Sequence, residues 1–543
     1  MASTSSIWQG RLVKPSSRTD WAETLVGVGA AVVSIGLPLS IFLISVGQWL
    51  IVLGWLFHPG LGKRLAAGAH NPIWWCFLGL FGIQALGMVW SSNTAYGLHD
   101  LRMKLPLLLL PLCLGSFPKP STGMLAWLFR IFVLATFTST LISFGLYLGI
   151  GGFQWHDIRA ISPLVSHIRL SLMISICIGW FLYDEKFVFR NTPTYIKWMG
   201  ITWFVGFLLV LQSITGLALV ALLLVIWACR SMYRGKRWGW VSLAFLLLGL
   251  GVIGTQIYQS HRAYFADRSG LELPLKPLTA NGRPYTHNLQ DHATEEGFHV
   301  GWYQAPFEYE REWAKRSGID IDGKDAKGQH IRYTLLRYLS SKGLTKDSAG
   351  VRALSTQDIA SVERGQTNAL RDEHSVGGRL HAIWWEYQNF RLGGLPNGHS
   401  LFMRLWFART GWSIWKQHPL IGVGTGDVND AFLEAYAKQP EPLDRPFWLR
   451  SHNQWITLGV ALGWVGILCF ALMYGCIGFR ASRISHAFAL LPIQVLWLSF
   501  AAEDTLETST GACLAGWFHS FVLMYDRQEL ANTTHKLSNE KSG

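Results

Sequence analysis

The chain has 543 residues, half of them hydrophobic and 15% charged, with 27 Trp and 30 Phe. That is too apolar for an ordinary soluble protein of this length and too rich in Trp for a disordered one. The net charge of +13 does not mark a nucleic-acid binder. Residues 258–451 hold 24 Lys and Arg against 22 Asp and Glu, a balance of only +2, and no basic patch interleaves with exposed aromatics. The remaining +11 sits in tails and in loops between apolar runs, as on the cytoplasmic side of a membrane protein.

From the N-terminus, MASTSSIWQGRLVKPSSRTD is basic but lacks an adjacent apolar core with a cleavage site. It is expected to be a retained cytoplasmic tail, residues 1–21. The apolar stretch 24–57 is too long for one helix, and Gly36-Leu37-Pro38 offers a break into two. Further runs follow at 72–91, 105–116, 123–150, 163–183, 198–212, 215–229 and 239–257. After a polar insert come 453–478, 488–502 and 509–525. This predicts an all-α polytopic membrane protein with about twelve transmembrane helices, nine within 22–257 and three within 452–526, followed by a cytoplasmic tail over 527–543.

Orientation follows from the basic residues. With the N-terminus inside, the inner loops carry Lys63, Arg64, Lys119, Lys186, Arg190, Lys197, Arg230, Arg234, Lys236, Arg237, Arg480 and Arg483. The short outer loops carry only Arg102, Lys104 and Arg159. The insert, 258–451, is thereby placed outside the cytoplasm. All seven Cys fall in apolar runs, so the insert has neither a disulfide framework nor a Cys metal site.

Within the insert, 267–300 is rich in Pro, Gly and His and reads as loop. HIRYTLLRYLSSKGL (330–344) has helical spacing. SAGVRALSTQDIASVERG (348–365) offers Ser355 as an N-cap and Gly365 as a C-cap. The Trp-rich amphipathic segments 374–394 and 400–419 suit a membrane surface or the cover of a cavity. The insert is therefore expected to be mostly helical.

Several residues carry a chemical reading beside a bland one. In HPLIGVGTGDV (418–428), Gly422, Gly424 and Gly426 alternate. The loop either presents backbone N–H groups to a phosphate or is a tight turn between helices. It lacks the dinucleotide fingerprint. RSHNQW (450–455) stands at the lip of a membrane helix. His452 there is either a proton acceptor or a cap. Arg450 is either a site residue or an interfacial anchor, and Asn453 belongs to the same cluster. Arg169 lies inside an apolar run, where a charge is costly and faces a cavity or a partner. Arg404 and Arg409 share a Trp-rich helix, but their spacing of five puts them on different faces. Glu503, Asp504 and Glu507 lie at an outer turn, where they balance the arginines, bind a cation or are solvated.

Together, SLFMRLWFARTGWSIWKQHPLIGVGTGD (400–427) and LRSHNQWITLGVALGWVG (449–466) resemble the signature region of the O-antigen ligase and polymerase superfamily. DLRMKLPLLLLPL (100–112), SPLVSHIRLSLM (162–173), SITGLALVAL (213–222) and AAEDTLETSTGA (501–512) support the likeness, which covers most of residues 80–525. YTLLRYLSSKGLTKDSAGVRALSTQDIASVERG (333–365) resembles a branch with an enlarged outer loop. The resemblance implies a metal-independent glycosyltransferase of the multi-span, GT-C-like class, with no cofactor. Its donor is an undecaprenyl-diphosphate-linked glycan, and its acceptor is lipid A–core or another glycan. It acts at the periplasmic face of the bacterial inner membrane.

On the family pattern, His452 would be the catalytic base, and Arg169 and Arg404 would bind the diphosphate, with Gly424 and Gly426 beside them. Arg102, Arg409, Arg450, Asn453 and Asp504 form a supporting set. The leading expectation is a ligase; a polymerase of the same superfamily is the alternative. A lipid-linked sugar transporter is a reading of another class, against which the large one-sided insert and the lack of paired broken helices both speak. A scaffold for envelope assembly, with the insert as a docking module, is a further class.

Overall fold

The computed structural model describes residues 17–153, 158–183, 187–189, 191–266, 275–291, 293–371, 376–392, 397, 400–439, 443–483 and 487–540. Most of the expected N-terminal tail, residues 1–16, lies outside the described residues, as do 541–543 and part of the expected loop, 267–274.

Each of the eleven apolar runs is helical, and 24–57 forms two α-helices as expected. Six described helices are long and apolar enough to cross a membrane: Arg18–Leu39, Pro72–Trp90, Thr122–Tyr147, Ile214–Tyr233, Arg237–Tyr264 and Gln454–Arg483. The bent pair Ile41–Phe57 and Leu61–Ala69 makes a seventh if taken as one span. Pro106–Ser116, His167–Tyr183, Thr194–Val210 and Ala489–Ser499 are shorter apolar helices. At ~1.5 Å per residue these fall short of the ~30 Å hydrocarbon thickness. The chain is an integral membrane protein, all-α but for one small hairpin and scattered bridges among the described residues.

The break expected at Gly36–Pro38 falls instead at Ser40, between Arg18–Leu39 and Ile41–Phe57. Pro38 sits in the last turn of the first helix. The Ser40 hydroxyl accepts from Leu43 N at 3.4 Å and so starts the second. Close approach of the two helices depends on small residues, since a Cβ on Gly29 would stand 2.7 Å from Gly47 O.

The described chain forms two compact units. One comprises Met1–Leu243, Phe407–Pro442 and Trp448–Gly543; the other comprises Ala244–Trp406 and Leu443–Phe447. Of the expected insert, 258–451, the stretch Phe407–Pro442 packs with the helical unit.

The smaller unit is built on Pro306–Ala314, Ile331–Ser341, Ser348–Arg352, Thr356–Glu363 and Val376–Arg391. Its core joins Trp313, Ile331, Leu335, Leu339, Val351 and Val362. Ser355 is an N-cap in a full capping box with Asp358, and Gly365 takes the left-handed conformation just past the helix end. The expected loop holds a short antiparallel hairpin, Thr294–Glu295 with Phe298–His299. Glu296 and Gly297 both have positive φ, as a two-residue primed turn requires. Glu295 and Glu296 are buried against His381 at 3.4 and 3.6 Å.

In the helical unit, the glycine-rich segment docks into a broken helix. Gly463 has φ 61 and ψ −162 inside Gln454–Arg483, a conformation open in practice only to glycine. The opened ladder is completed by 419–424. Val423 N and Gly424 N donate to Val460 O and Ala461 O at 2.8 and 2.9 Å, and Trp464 N and Val465 N donate to Pro419 O and Leu420 O at 2.8 and 3.1 Å. The same segment grips the turn after Pro72–Leu86. Thr425 N donates to Gly87 O at 3.2 Å, and Gly426 N to Ser91 Oγ at 2.9 Å. The Asp427 carboxylate accepts from Ser92 N at 2.8 Å and Asn93 N at 2.7 Å.

A Cβ at Gly426 would lie 2.3 Å from Asn93 O, a backbone atom that cannot swing aside. Gly426→Ala is therefore expected to destabilise the protein by about 1–3 kcal/mol, read as a lower melting temperature in detergent. An unchanged melting temperature would show that this turn yields freely.

Candidate functional site

Four charged side chains from three separated segments meet in the interior of the helical unit. Lys104, at the end of Thr94–Lys104, is 2% exposed. Its ammonium stands 2.7 Å from Asp100 Oδ2 and 2.9 Å from Glu507 Oε2, and donates to Gln84 Oε1 at 3.3 Å. Arg450 adds the second cation, 2.6 Å from Glu507 Oε2 and 3.1 Å from Asp100 Oδ1, and it also bonds to the Tyr96 hydroxyl. The second Glu507 oxygen accepts from Gln454 Nε2 at 3.0 Å, and Gln454 Oε1 accepts from Leu506 N at 2.9 Å. Two cations thus face two anions, as burial of charge demands. Burial would raise the Glu507 carboxyl, but Lys104 and Arg450 outweigh it and hold the group below the usual range.

Beside this quartet, His452 sits in the strap that precedes Gln454–Arg483. Its backbone has φ 49, a strained region for a residue with a Cβ, costing on the order of 1–3 kcal/mol. The strap is fixed from both sides of the histidine. The Ser451 hydroxyl shares a 2.8 Å hydrogen bond with that of Thr457. Asn453 Oδ1 accepts from Ile456 N at 3.1 Å as a helix cap, while its amide donates to Ala501 O at 2.7 Å. The His452 ring is tilted against Phe407 at 5.4 Å. Its Nδ1 lies 3.7 Å from Asp504 Oδ1. With Nδ1 directed at a carboxylate, Nε2 is the nitrogen that can take up a proton.

Arg169 reaches the same acid from His167–Tyr183. Its Nη2 donates to Asp504 O at 3.4 Å and stands 4.0 Å from Asp504 Oδ1. The side chain is 7% exposed, and its Nε is buried with no hydrogen-bond partner among the described residues. Burial pushes the Asp504 carboxyl up, but His452, Arg169 and Arg450 together hold it below its ordinary value. One carboxylate therefore serves an imidazole and a guanidinium at once.

Ligand-type atoms of His452, Glu503 and Asp504 lie within 4.8 Å of one another, a spacing that a cation can use. Arg169 and Arg450 already bring positive charge to Asp504.

The structure brings His452, Arg169, Arg450, Asn453 and Asp504 into one region of the helical unit. It uses Gly424 and Gly426 otherwise: the amides from Gly422 through Asp427 all bond within the chain, which is the tight-turn alternative and leaves none aimed at a phosphate. Arg409 is exposed. Arg404 is half-buried in the other unit, where aromatics of the Trp-rich segments also pack on one another, Phe390 on Phe402 at 5.2 Å and on Trp406 at 6.2 Å. Arg102 is exposed while Lys104, two residues on, is the buried cation. Lys104 and Asp100 are the members that sequence reasoning did not assign, whereas Glu507 balances an arginine, one of the roles expected of it. The available signal was the i,i+4 spacing of Asp100 and Lys104 beside an apolar run.

Residues 378–471 match the family model described as O-antigen ligase. Comparison with curated proteins finds no match. The matched stretch contains the Arg404 helix, the glycine-rich segment and the strap with Arg450 and His452. The match over these residues supports the O-antigen ligase and polymerase superfamily.

Proposed function

We propose that the protein is a ligase that transfers a glycan from undecaprenyl diphosphate to an acceptor sugar, lipid A–core or a related glycan. The reading places it in a bacterial inner membrane with about twelve spans, with the site and the insert on the periplasmic side. The observation that carries it is the sharing of Asp504 by His452 Nδ1 and Arg169 Nη2.

In this mechanism the acceptor hydroxyl gives its proton to His452 Nε2 as its oxygen bonds to the anomeric carbon. The bond from that carbon to the diphosphate breaks, and its electron pair leaves with the lipid. Arg169, buried and permanently charged, stabilises the negative charge gathering on the leaving diphosphate. Asp504 orients the imidazole and supports its protonated form. The chemistry needs no metal, because the positive charge is supplied by side chains.

The test is purified protein in nanodiscs with synthetic undecaprenyl-diphosphate glycan and lipid A–core acceptor. Glycan appearing on the acceptor, unaffected by chelator, is the expected result. Chains lengthened on the carrier would instead assign a polymerase. Movement of donor across the bilayer without transfer would assign a transporter.

His452→Gly separates chemistry from folding, since glycine adopts φ 49 without strain. That variant is expected to melt no lower than the wild type yet to lose transfer by about 10²–10⁴-fold. Wild-type-like transfer would remove the proposed base. Asp504→Asn keeps the shape but not the charge, and a loss of about 10²-fold or more in kcat is expected. A variant with unaltered kcat would show that the carboxylate does not act on the imidazole.

A further inference from the structure

We infer that Lys104 is a positioning residue for this reaction: from beneath the site it holds the two backbone segments that carry His452 and Asp504 in register. The inference rests on the reading of His452 as the base.

Lys104 does not act by contact with a substrate. The space shared by Gln84, Asp100, Lys104, Arg450 and Glu507 holds no cavity large enough for a water molecule. What it touches are the anchors of the site. Glu507 Oε2 receives Lys104 at 2.9 Å and Arg450 at 2.6 Å, and Glu507 Oε1 receives Gln454. Arg450 and Gln454 stand two residues to either side of His452. Glu507 is three residues beyond Asp504, and Leu506 N closes the loop onto Gln454. One carboxylate therefore ties the strap bearing His452 to the turn bearing Asp504, and Lys104 supplies half of its countercharge.

Loss of Lys104 would leave Asp100 and Glu507 facing Arg450 alone, so the surplus negative charge would have to be relieved by movement. His452 holds a positive φ that persists only where its surroundings enforce it. A shift there propagates directly to the imidazole.

The experiment compares Lys104→Met, Glu507→Gln and the double variant in nanodiscs, each normalised to folded protein. Lys104→Met is expected to lower kcat about 10–100-fold, as a displacement near 1 Å does, with KM for the lipid-linked donor within about twofold. The double variant restores charge balance and is expected to recover a large part of that kcat. A second readout does not depend on activity. Labelling of the partly exposed His452 by diethyl pyrocarbonate, followed by mass spectrometry, is expected to change several-fold in Lys104→Met, with exposed His70 as the unchanged control. The inference is overturned if Lys104→Met changes neither kcat per folded molecule nor His452 labelling. A raised KM at constant kcat, or a double variant no better than either single, would overturn it as well. Absence of transfer by the wild type would instead refute the ligase reading, and the labelling would still decide the role of Lys104.

Discussion

The interior of the helical unit is organised around the cost of burying charge. Lys104 and Glu507 are each almost fully buried, where removing one partner of an ion pair costs on the order of 3–5 kcal/mol. Neutrality is reached only when Asp100, Lys104, Arg450 and Glu507 come together, and these belong to three stretches, with Arg450 standing 350 residues after Asp100 and 57 before Glu507. The chain between them is therefore constrained whatever its length. The segment that follows the insert is tied to this one place: Gln454 N reaches Phe500 O at 3.0 Å, and Arg450 reaches Asp100.

A second constraint concerns the backbone. Opening a helix in an apolar environment strands carbonyl and N–H groups that water cannot satisfy. Gly463 opens one, and the chain answers with its own backbone, since 419–424 supplies partners on both sides of the break. The glycines at 422 and 424 are explained by this contact. Both have positive φ, and a Cβ at Gly422 would meet Ala461 and Leu462 backbone at 2.4 Å. A motif that invites comparison with phosphate loops is here a fitted plug.

How much of this was legible in the sequence depends on the range of the interaction. The twelve helices were, because hydropathy is local and an apolar run has few other uses. Arg169 stood out because a charge in such a run is rarely idle, and His452 because polar residues gathered where a helix begins. The role of the glycines was not legible, since their partners lie at 87–93 and 460–465. The burial of Lys104 was not legible either, since its partner Glu507 lies far along the chain. Packing likewise joins 407–442 to the helices, which a change in composition at 451 does not reveal.

On the proposed reading, the sharing of Asp504 has a consequence for the order of events. In the structure the acid divides its attraction between Arg169 at 4.0 Å and His452 at 3.7 Å. A diphosphate, carrying more charge than one carboxylate, would draw Arg169 toward itself. Asp504 would then be left to His452 alone, holding the imidazole from its Nδ1 side once the donor is in place. Such an arrangement ties the orientation of the base to the presence of a leaving group. It also accounts for why the carboxylate lies between the imidazole and the guanidinium and is not confined to either.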